Sequence, residues 1–391
     1  MNISEEEQCF YAQPEFLVER FWLVTVSGTT IASISIIENL FLFLVLVTKR
    51  HHRNSHSLYL LLLAFFDVSV SGAYIPLMSL SHLVDYMHSV ILLRAWFFYM
   101  IPMITISHIA MTSSSFLILS ASFERYCVIA MPHRMECLNR YRCQIATAAI
   151  ILGIVTKSTL AFEFSIKYQN ECFDTMAEYA LELSALAKDP IYNLLWRLWF
   201  RNGITILLPF FLLAFMNART AISLHRSELI PEDMQKLSES QRKSRVRAAT
   251  RALVFVVFTY LVSNILNVII TIWEYVDIES LQTRFITFYI YSVDVVSLLT
   301  ILAGALRLPI YISCQQQLRS EFALVFRSLF GYSDSLTRRL LNLSEISIFK
   351  FEQCDEATKE ETNDSIKMQP ILIFNKCDAP LNNASVDDVF L

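Results

Sequence analysis

Seven stretches of the chain stay apolar for long enough to cross a bilayer, which takes about 20 residues of helix. They cover residues 21–47, 58–83, 96–129, 145–164, 192–224, 248–273 and 285–312, with Arg197 and Arg201 interrupting the start of the fifth. Glycine is scarce and the stretches are too long for strands, so helices are expected rather than the alternating short segments of a β-barrel. After the seventh stretch, Leu318, Phe322, Val325, Phe326 and Leu329 recur at helical spacing with Arg319, Ser320, Glu321 and Ser328 between them. That pattern predicts an amphipathic helix on a membrane surface. The expected organisation is an all-α membrane protein: an N-terminal segment (1–20), a seven-transmembrane helix bundle (21–312), the juxtamembrane helix (315–330), and a polar, acid-rich tail (331–391) whose composition predicts disorder.

Composition supports a membrane setting: 54% of residues are hydrophobic and only 17% charged, against about 25% charged in soluble domains. The net charge of −4 says less than its distribution. Lys49, Arg50 and Arg53, then Arg134, Arg140 and Arg142, then Lys236, Arg242, Lys243, Arg245, Arg247 and Arg251 lie in alternate connections. Basic connections stay in the cytoplasm, which puts the N-terminus outside and the C-terminus inside. The acidic start of the chain lacks the basic and apolar regions of a cleavable signal, so the first apolar stretch is expected to direct insertion. Of eight cysteines, only Cys9 and Cys172 fall on the expected outer side, where oxidation occurs. Asn2 heads the one glycosylation sequon there, whereas those at Asn342, Asn363 and Asn383 fall inside. No cofactor motif and no sign of nucleic-acid binding appears.

Ionisable groups within a membrane are expensive and so are candidates for function. Asp67 sits mid-span with little charged company beyond Glu38, and Asn39 and Ser114 lie at comparable depth. Two readings stay open, a hydrated cation or proton site, with sodium held by Asp67 and Ser114, and a hydrogen-bonded packing knot. Glu124-Arg125-Tyr126 closes the third stretch at its inner end. There an arginine can pair with its neighbouring acid in one conformation and with a partner protein in another. The cluster His51, His52 and His56 stands without companion histidine clusters, so a diiron site has no ligand set and a basic loop near lipid phosphates is the better reading.

With Asn39, Leu63-Ala64-Phe65-Phe66-Asp67, Glu124-Arg125-Tyr126, Pro209 and Pro309-Ile310-Tyr311 in successive spans, the chain resembles the rhodopsin-like G-protein-coupled receptors from residue 21 to about 330. Asp189-Pro190-Ile191-Tyr192, Trp196, Leu208-Pro209-Phe210, Asn217, Ser263-Asn264-Ile265-Leu266-Asn267 and Trp273-Glu274 are similar to the invertebrate FMRFamide and myosuppressin group of neuropeptide receptors. The resemblance implies a plasma-membrane receptor for an extracellular ligand, foremost an Arg-Phe-amide peptide, that activates a heterotrimeric G protein. Glu124, Arg125, Tyr126, Pro309 and Tyr311 would then form the coupling switch. Candidate tail phosphorylation sites (Ser333, Ser335, Thr337, Thr358 and Thr362) would serve a receptor kinase and arrestin, Cys314 is a candidate for palmitoylation, and Val389-Phe390-Leu391 offers a PDZ-type ending.

Departures from the family pattern matter as much. Met100 stands where the family has the outer cysteine of the third span, leaving Cys172 without its usual partner, and Cys9 is the candidate substitute. The sixth span lacks the family's aromatic and proline pair, the fourth lacks its tryptophan, and Leu308 precedes Pro309 in place of asparagine. At the inner end of the sixth span, Lys243, Ser244 and Arg245 provide no acid for Arg125.

By resemblance, a ligand pocket is expected in the outer half of the bundle, lined by Ser107, His108, Met111, Arg201, Glu274 and Asp294. Asp294 is the first candidate to meet a cationic ligand and Glu274 the second. The competing reading pairs Asp294 internally with Arg201 or Lys157, and makes His108 a hydrogen-bonded core residue. A chemosensory receptor for a small molecule is the alternative function. A transporter or channel would need paired charges at mid-membrane and broken helices, and an enzyme a convergent catalytic set that the sequence does not contain.

Overall fold

The computed structural model describes residues 9, 11, 13–48, 57–130, 135–228 and 237–316, and beyond them 318–320, 322, 323 and 325. Asn2, the histidine cluster, the tail and the bases Lys49, Arg50, Arg53, Arg134 and Lys236 lie outside the described residues, as do the side chains of Arg242, Lys243, Ser244 and Arg245. Seven helices have the length and composition to cross a membrane: α1 (Leu17–Thr48), α2 (Ser57–Met87), α3 (Val90–Val128), α4 (Arg140–Phe162), α5 (Tyr192–His225), α6 (Val246–Val276) and α7 (Ile286–Cys314). Each overlies one apolar stretch. Most run a few residues beyond it, because a helix ends where its backbone loses partners rather than where its side chains turn polar.

The helices form one bundle. α1 packs on α2 and α7, α3 lies against α2, α4 and α5, and α6 bridges α5 and α7. Apolar residues point both ways: Leu117, Ile118 and Leu213 are fully buried, while Ile37, Phe98, Ile154 and Phe258 face outward. Polar groups such as Ser35, Asn39, Asp67 and Ser113 go inside, as expected for helices whose surroundings are lipid. The α3–α4 contact is close enough to require glycine. A methyl group on Gly153 would overlap the Ser113 hydroxyl and come within 3.0 Å of its backbone nitrogen.

Prolines shape the helices locally. Around Pro76, residues Ile75–Ser79 widen to π-type winding, and two carbonyls of this stretch accept side-chain donors from α3: Trp96 Nε1 donates to the Leu77 carbonyl at 3.2 Å and the Tyr99 hydroxyl to that of Pro76 at 3.0 Å. Residues Tyr192–Leu207 of α5 are wound the same way up to the turn that carries Pro209. In α7 the proline ring of Pro309 conflicts with the carbonyl four residues earlier, that of Ala305, and the helix breaks at Leu306 between Ile286–Ala305 and Arg307–Cys314.

One element was not expected. Phe164, read as the end of the fourth stretch, instead opens a strand: β1 (Phe164–Tyr168) pairs antiparallel with β2 (Tyr179–Leu183), matching Phe164 with Leu183 and Tyr168 with Tyr179. Beyond α7 the described residues to Val325 are helical except Gln315. Leu318 and Phe322 are buried among Leu42, Leu46 and Tyr311, and the Phe322 ring lies 5.4 Å from that of Phe41. Phe326 and Leu329 of the expected amphipathic helix lie outside the described residues.

Candidate functional site

The polar residues gather at three levels. In the middle of the bundle, Asn39 Nδ2 donates to the Ser35 carbonyl at 2.9 Å and across to the Gly304 carbonyl at 3.1 Å, and Ser71 donates to the Ser35 hydroxyl at 2.8 Å. Asp67 lies beside this network and accepts a hydrogen bond from Arg307 Nη1 in an ion pair. The break at Leu306 carries Arg307 into the bundle. Gly304 keeps the approach open, since a methyl there would come to 3.3 Å from the Ser35 hydroxyl and 3.6 Å from the Asp67 carboxyl carbon. One expectation is corrected here: Asp67 does have charged company, the guanidinium of Arg307. Ser114 is buried but makes no hydrogen bond to Asp67 among the described residues, while its neighbour Ser115 accepts from the Tyr260 hydroxyl at 2.9 Å.

At the end of the bundle opposite the N-terminus, Glu124 is gripped by Arg142 of α4 through two hydrogen bonds of 2.7 and 2.9 Å. The acid of the Glu-Arg-Tyr motif is therefore occupied by another helix. Arg125 is buried yet has no ion pair among the described residues. Its side chain lines a small crevice of about 20 Å³ with Tyr59, Glu124, Leu253, Tyr311 and Gln315, and a second one with Asn217, Thr220 and Thr250. The Tyr311 hydroxyl is buried without a hydrogen-bond partner among the described residues. Of the expected switch residues on α7, Tyr311 shares that crevice with Arg125 while Pro309 is exposed, and Tyr126 follows Arg125 on α3.

At the N-terminal end a strap crosses the bundle. Cys9 is joined to Cys172 in the β1–β2 connection, with 5.4 Å between their Cα atoms. The Tyr11 hydroxyl donates to Asp85 at 2.6 Å, and Gln13 meets His88 at 2.7 Å. Phe16 turns the chain through the left-handed region (φ 57°) into α1 and lies 5.5 Å from the ring of Tyr291. Arg20 then donates to Asp294 through Nε at 2.7 Å and Nη2 at 3.2 Å, with His82 4.0 Å from the same carboxylate. Arg94 at the start of α3 holds the hairpin by two Nε bonds and a 2.8 Å Nη2 bond to Glu178, and by a 3.3 Å bond to Asp174.

Between α3, α4 and α5 lies a second charged group. Arg201 ion-pairs with Glu163, Arg197 approaches the same carboxylate at 3.8 Å, and the Tyr192 hydroxyl donates to it at 2.9 Å. Lys157 and His108 are within electrostatic reach.

The six expected pocket residues are thus divided among separate settings. Arg201 and His108 belong to the Glu163 cluster. Asp294 is internally paired, but with Arg20 and not with Arg201 or Lys157 as the competing reading had it. Glu274 lies beside Tyr289 and within electrostatic reach of Arg197. Met111 packs against the apolar core and Ser107 is buried. Sequence reasoning passed over Arg20, Arg94, Arg142, Glu163 and Arg307 as partners. Arg20 and Glu163 lie at the rims of apolar stretches and Arg307 lies inside one, so all three carried a readable signal of cost.

Among curated proteins the chain has no significant match. Residues 38–303, from the helix that carries Asn39 to the turn before Gly304, match the family of 7 transmembrane receptors (rhodopsin family). That match includes Asn39, Asp67, Glu124, Arg125 and Asp294, and outweighs the mid-membrane charge pair that a transporter would also show. The chain belongs to the rhodopsin family of seven-transmembrane receptors, which are signalling proteins and not enzymes.

Proposed function

We propose that the chain is a plasma-membrane receptor, N-terminus outside, that binds an extracellular peptide and activates a heterotrimeric G protein. The observation that carries this reading is the disulfide between Cys9 and Cys172 at one end of the bundle, with Arg125 and its crevices at the other. Disulfides persist on the oxidising side of a membrane. The bridge therefore supports the same orientation as the basic connections, with Arg125 facing the cytoplasm.

A peptide ligand suits the N-terminal end, where charged groups of both signs are spread across several helices rather than gathered around one small cavity. Asp294 and Glu274 supply acids for the arginine of an Arg-Phe-amide peptide, and the similarity to FMRFamide and myosuppressin receptors noted in α5 and α6 supports that class. Receptor kinase and arrestin would act through the tail. The test is peptide-stimulated nucleotide exchange on a G protein reconstituted with the full-length receptor, using a panel of amidated peptides and small odorants. Response to a peptide is expected. Silence across the panel overturns the reading, and response to small molecules alone replaces it with the chemosensory one.

A further inference from the structure

Near the N-terminal end, between α3, α4 and α5, three cations share one acid. Glu163 is fully buried and already serves Arg201, Arg197, Tyr192 and the Thr159 hydroxyl. Lys157, one helical stretch earlier on α4, is 8% exposed and makes no hydrogen bond or ion pair among the described residues. Arg201 is 6% exposed, and its Nε has no acceptor. The buried hydroxyl of Thr205, one turn along α5, is also unpartnered. A buried ammonium without a counterion is costly, and more so at membrane depth. The groups around it relieve that cost only in part: His108 on α3 can be neutral or positive but never negative, and Glu163, whose charge reaches Lys157 and whose Oε2 accepts no hydrogen bond among the described residues, is shared with two guanidinium groups.

We propose that Lys157 and Arg201, with His108 beside them, form a subsite for a carboxylate carried by the receptor's ligand. The proposal rests on the receptor reading above and sharpens it. Asp294 and Glu274 ask for a base on the ligand, and Lys157 asks for an acid, so the ligand is dipolar. The Lys157 ammonium supplies the charge, and the open Nε of Arg201 supplies a directed N–H bond of the kind a carboxylate oxygen accepts. Glu163 holds the rest of the Arg201 guanidinium in place.

The test uses the purified full-length receptor in nanodiscs, with thermal unfolding measured against N-acetylglutamate and its isosteric neutral counterpart N-acetylglutamine at fixed ionic strength and chloride. The acid is expected to raise the midpoint in a saturable way and the amide to leave it unchanged. In Lys157→Met the acid shift is lost, and the variant without probe melts no lower than wild type, because an unpaired buried charge has been removed. Equal shifts from both probes, or an acid shift that survives in Lys157→Met, overturn the subsite. Replacing chloride by gluconate separates an inorganic anion. A midpoint that falls with chloride removal and is restored by chloride as well as by N-acetylglutamate overturns assignment to a ligand. Should Lys157→Met fail to fold, Lys157→Gln takes its place, and the comparison of the two probes on wild type still decides. A receptor that answers an acid-free peptide while ignoring N-acetylglutamate keeps the receptor reading and loses this one.

Discussion

Arg307 on α7 donates into the carboxylate of Asp67 on α2, joining two helices through a pair that is almost entirely removed from solvent. The fixed cation changes what the bundle centre can do, because a charge on a side chain neither dissociates nor follows the salt concentration. Breaking a buried pair by removing one partner costs about 3–5 kcal/mol, since the other charge is left unmatched. Asp67→Asn and Arg307→Met should therefore each lower the thermal midpoint strongly, and the double variant should regain much of the loss. Agonist affinity should be the same in sodium and in N-methylglucamine. A sodium effect that vanishes in Asp67→Asn would show that the guanidinium does not fill the site.

On the opposite side of the bundle, Arg142 takes the acid that Arg125 would otherwise hold. With Glu124 engaged by α4, Arg125 is left to face the crevice lined by Tyr311 and Leu253. Arg142→Ala should release Glu124 to its neighbour and reduce basal nucleotide exchange severalfold, while Arg125→Ala should abolish stimulated exchange. Basal exchange that rises in Arg142→Ala would mean that the Glu124–Arg142 pair is itself the restraint.

The bundle was legible because lipid on one side of every helix leaves long apolar stretches, a signal that survives divergence. Partners were less legible. Arg307 and Pro309 each carried a signal, a charge inside an apolar stretch and a helix breaker, but neither says which of the other helices the guanidinium meets. The hairpin had a signal, the alternation of Phe164, Ile166 and Tyr168 with Ser165 and Lys167, but it ran on from an apolar helix and was absorbed into it. Arg20 was taken for the edge of a span, although its reach into the bundle needs only the length of an arginine side chain.

Met100 is buried where the family has its outer cysteine, and the hairpin is fastened there by Arg94 and Glu178 instead. Hydrogen bonding from Arg94, against the opposing effect of burial, holds the Glu178 carboxyl below its usual range. A carboxylate whose value is depressed on folding contributes stability that is present above its unfolded value and lost as pH falls through the folded one. The difference in midpoint between wild type and Glu178→Gln should thus be constant near neutrality and shrink below about pH 4. Near neutrality Glu178→Gln should melt a few degrees lower, and a difference that does not vary with pH would rule out the ion pair as its origin.

The disulfide fixes the other end of the same surface. Reduction frees the strap from Cys172 and leaves Tyr11, Gln13 and Phe16 to hold it by exposed or half-buried contacts. Cys9→Ser and Cys172→Ser should lower the midpoint by the same amount, and the double variant by no more than either, because one bond is lost in all three. A larger loss in the double variant would assign the cysteines separate roles.

Arg20 occupies the carboxylate that an arginine-bearing ligand would seek. The two guanidinium groups compete for Asp294, so removing the internal one should favour the external one. Arg20→Met is expected to bind an Arg-Phe-amide agonist severalfold more tightly, provided the variant's midpoint stays close enough to wild type for binding to be measured. Asp294→Lys should abolish the response to such a peptide while leaving the Lys157 subsite able to bind N-acetylglutamate. Two outcomes separate the alternatives. Unchanged potency in both variants would make Arg20–Asp294 a structural brace with no part in binding. Loss of potency in Arg20→Met would mean that the ligand needs the strap held down on α7, so that Arg20 shapes the pocket's rim rather than competing for its acid.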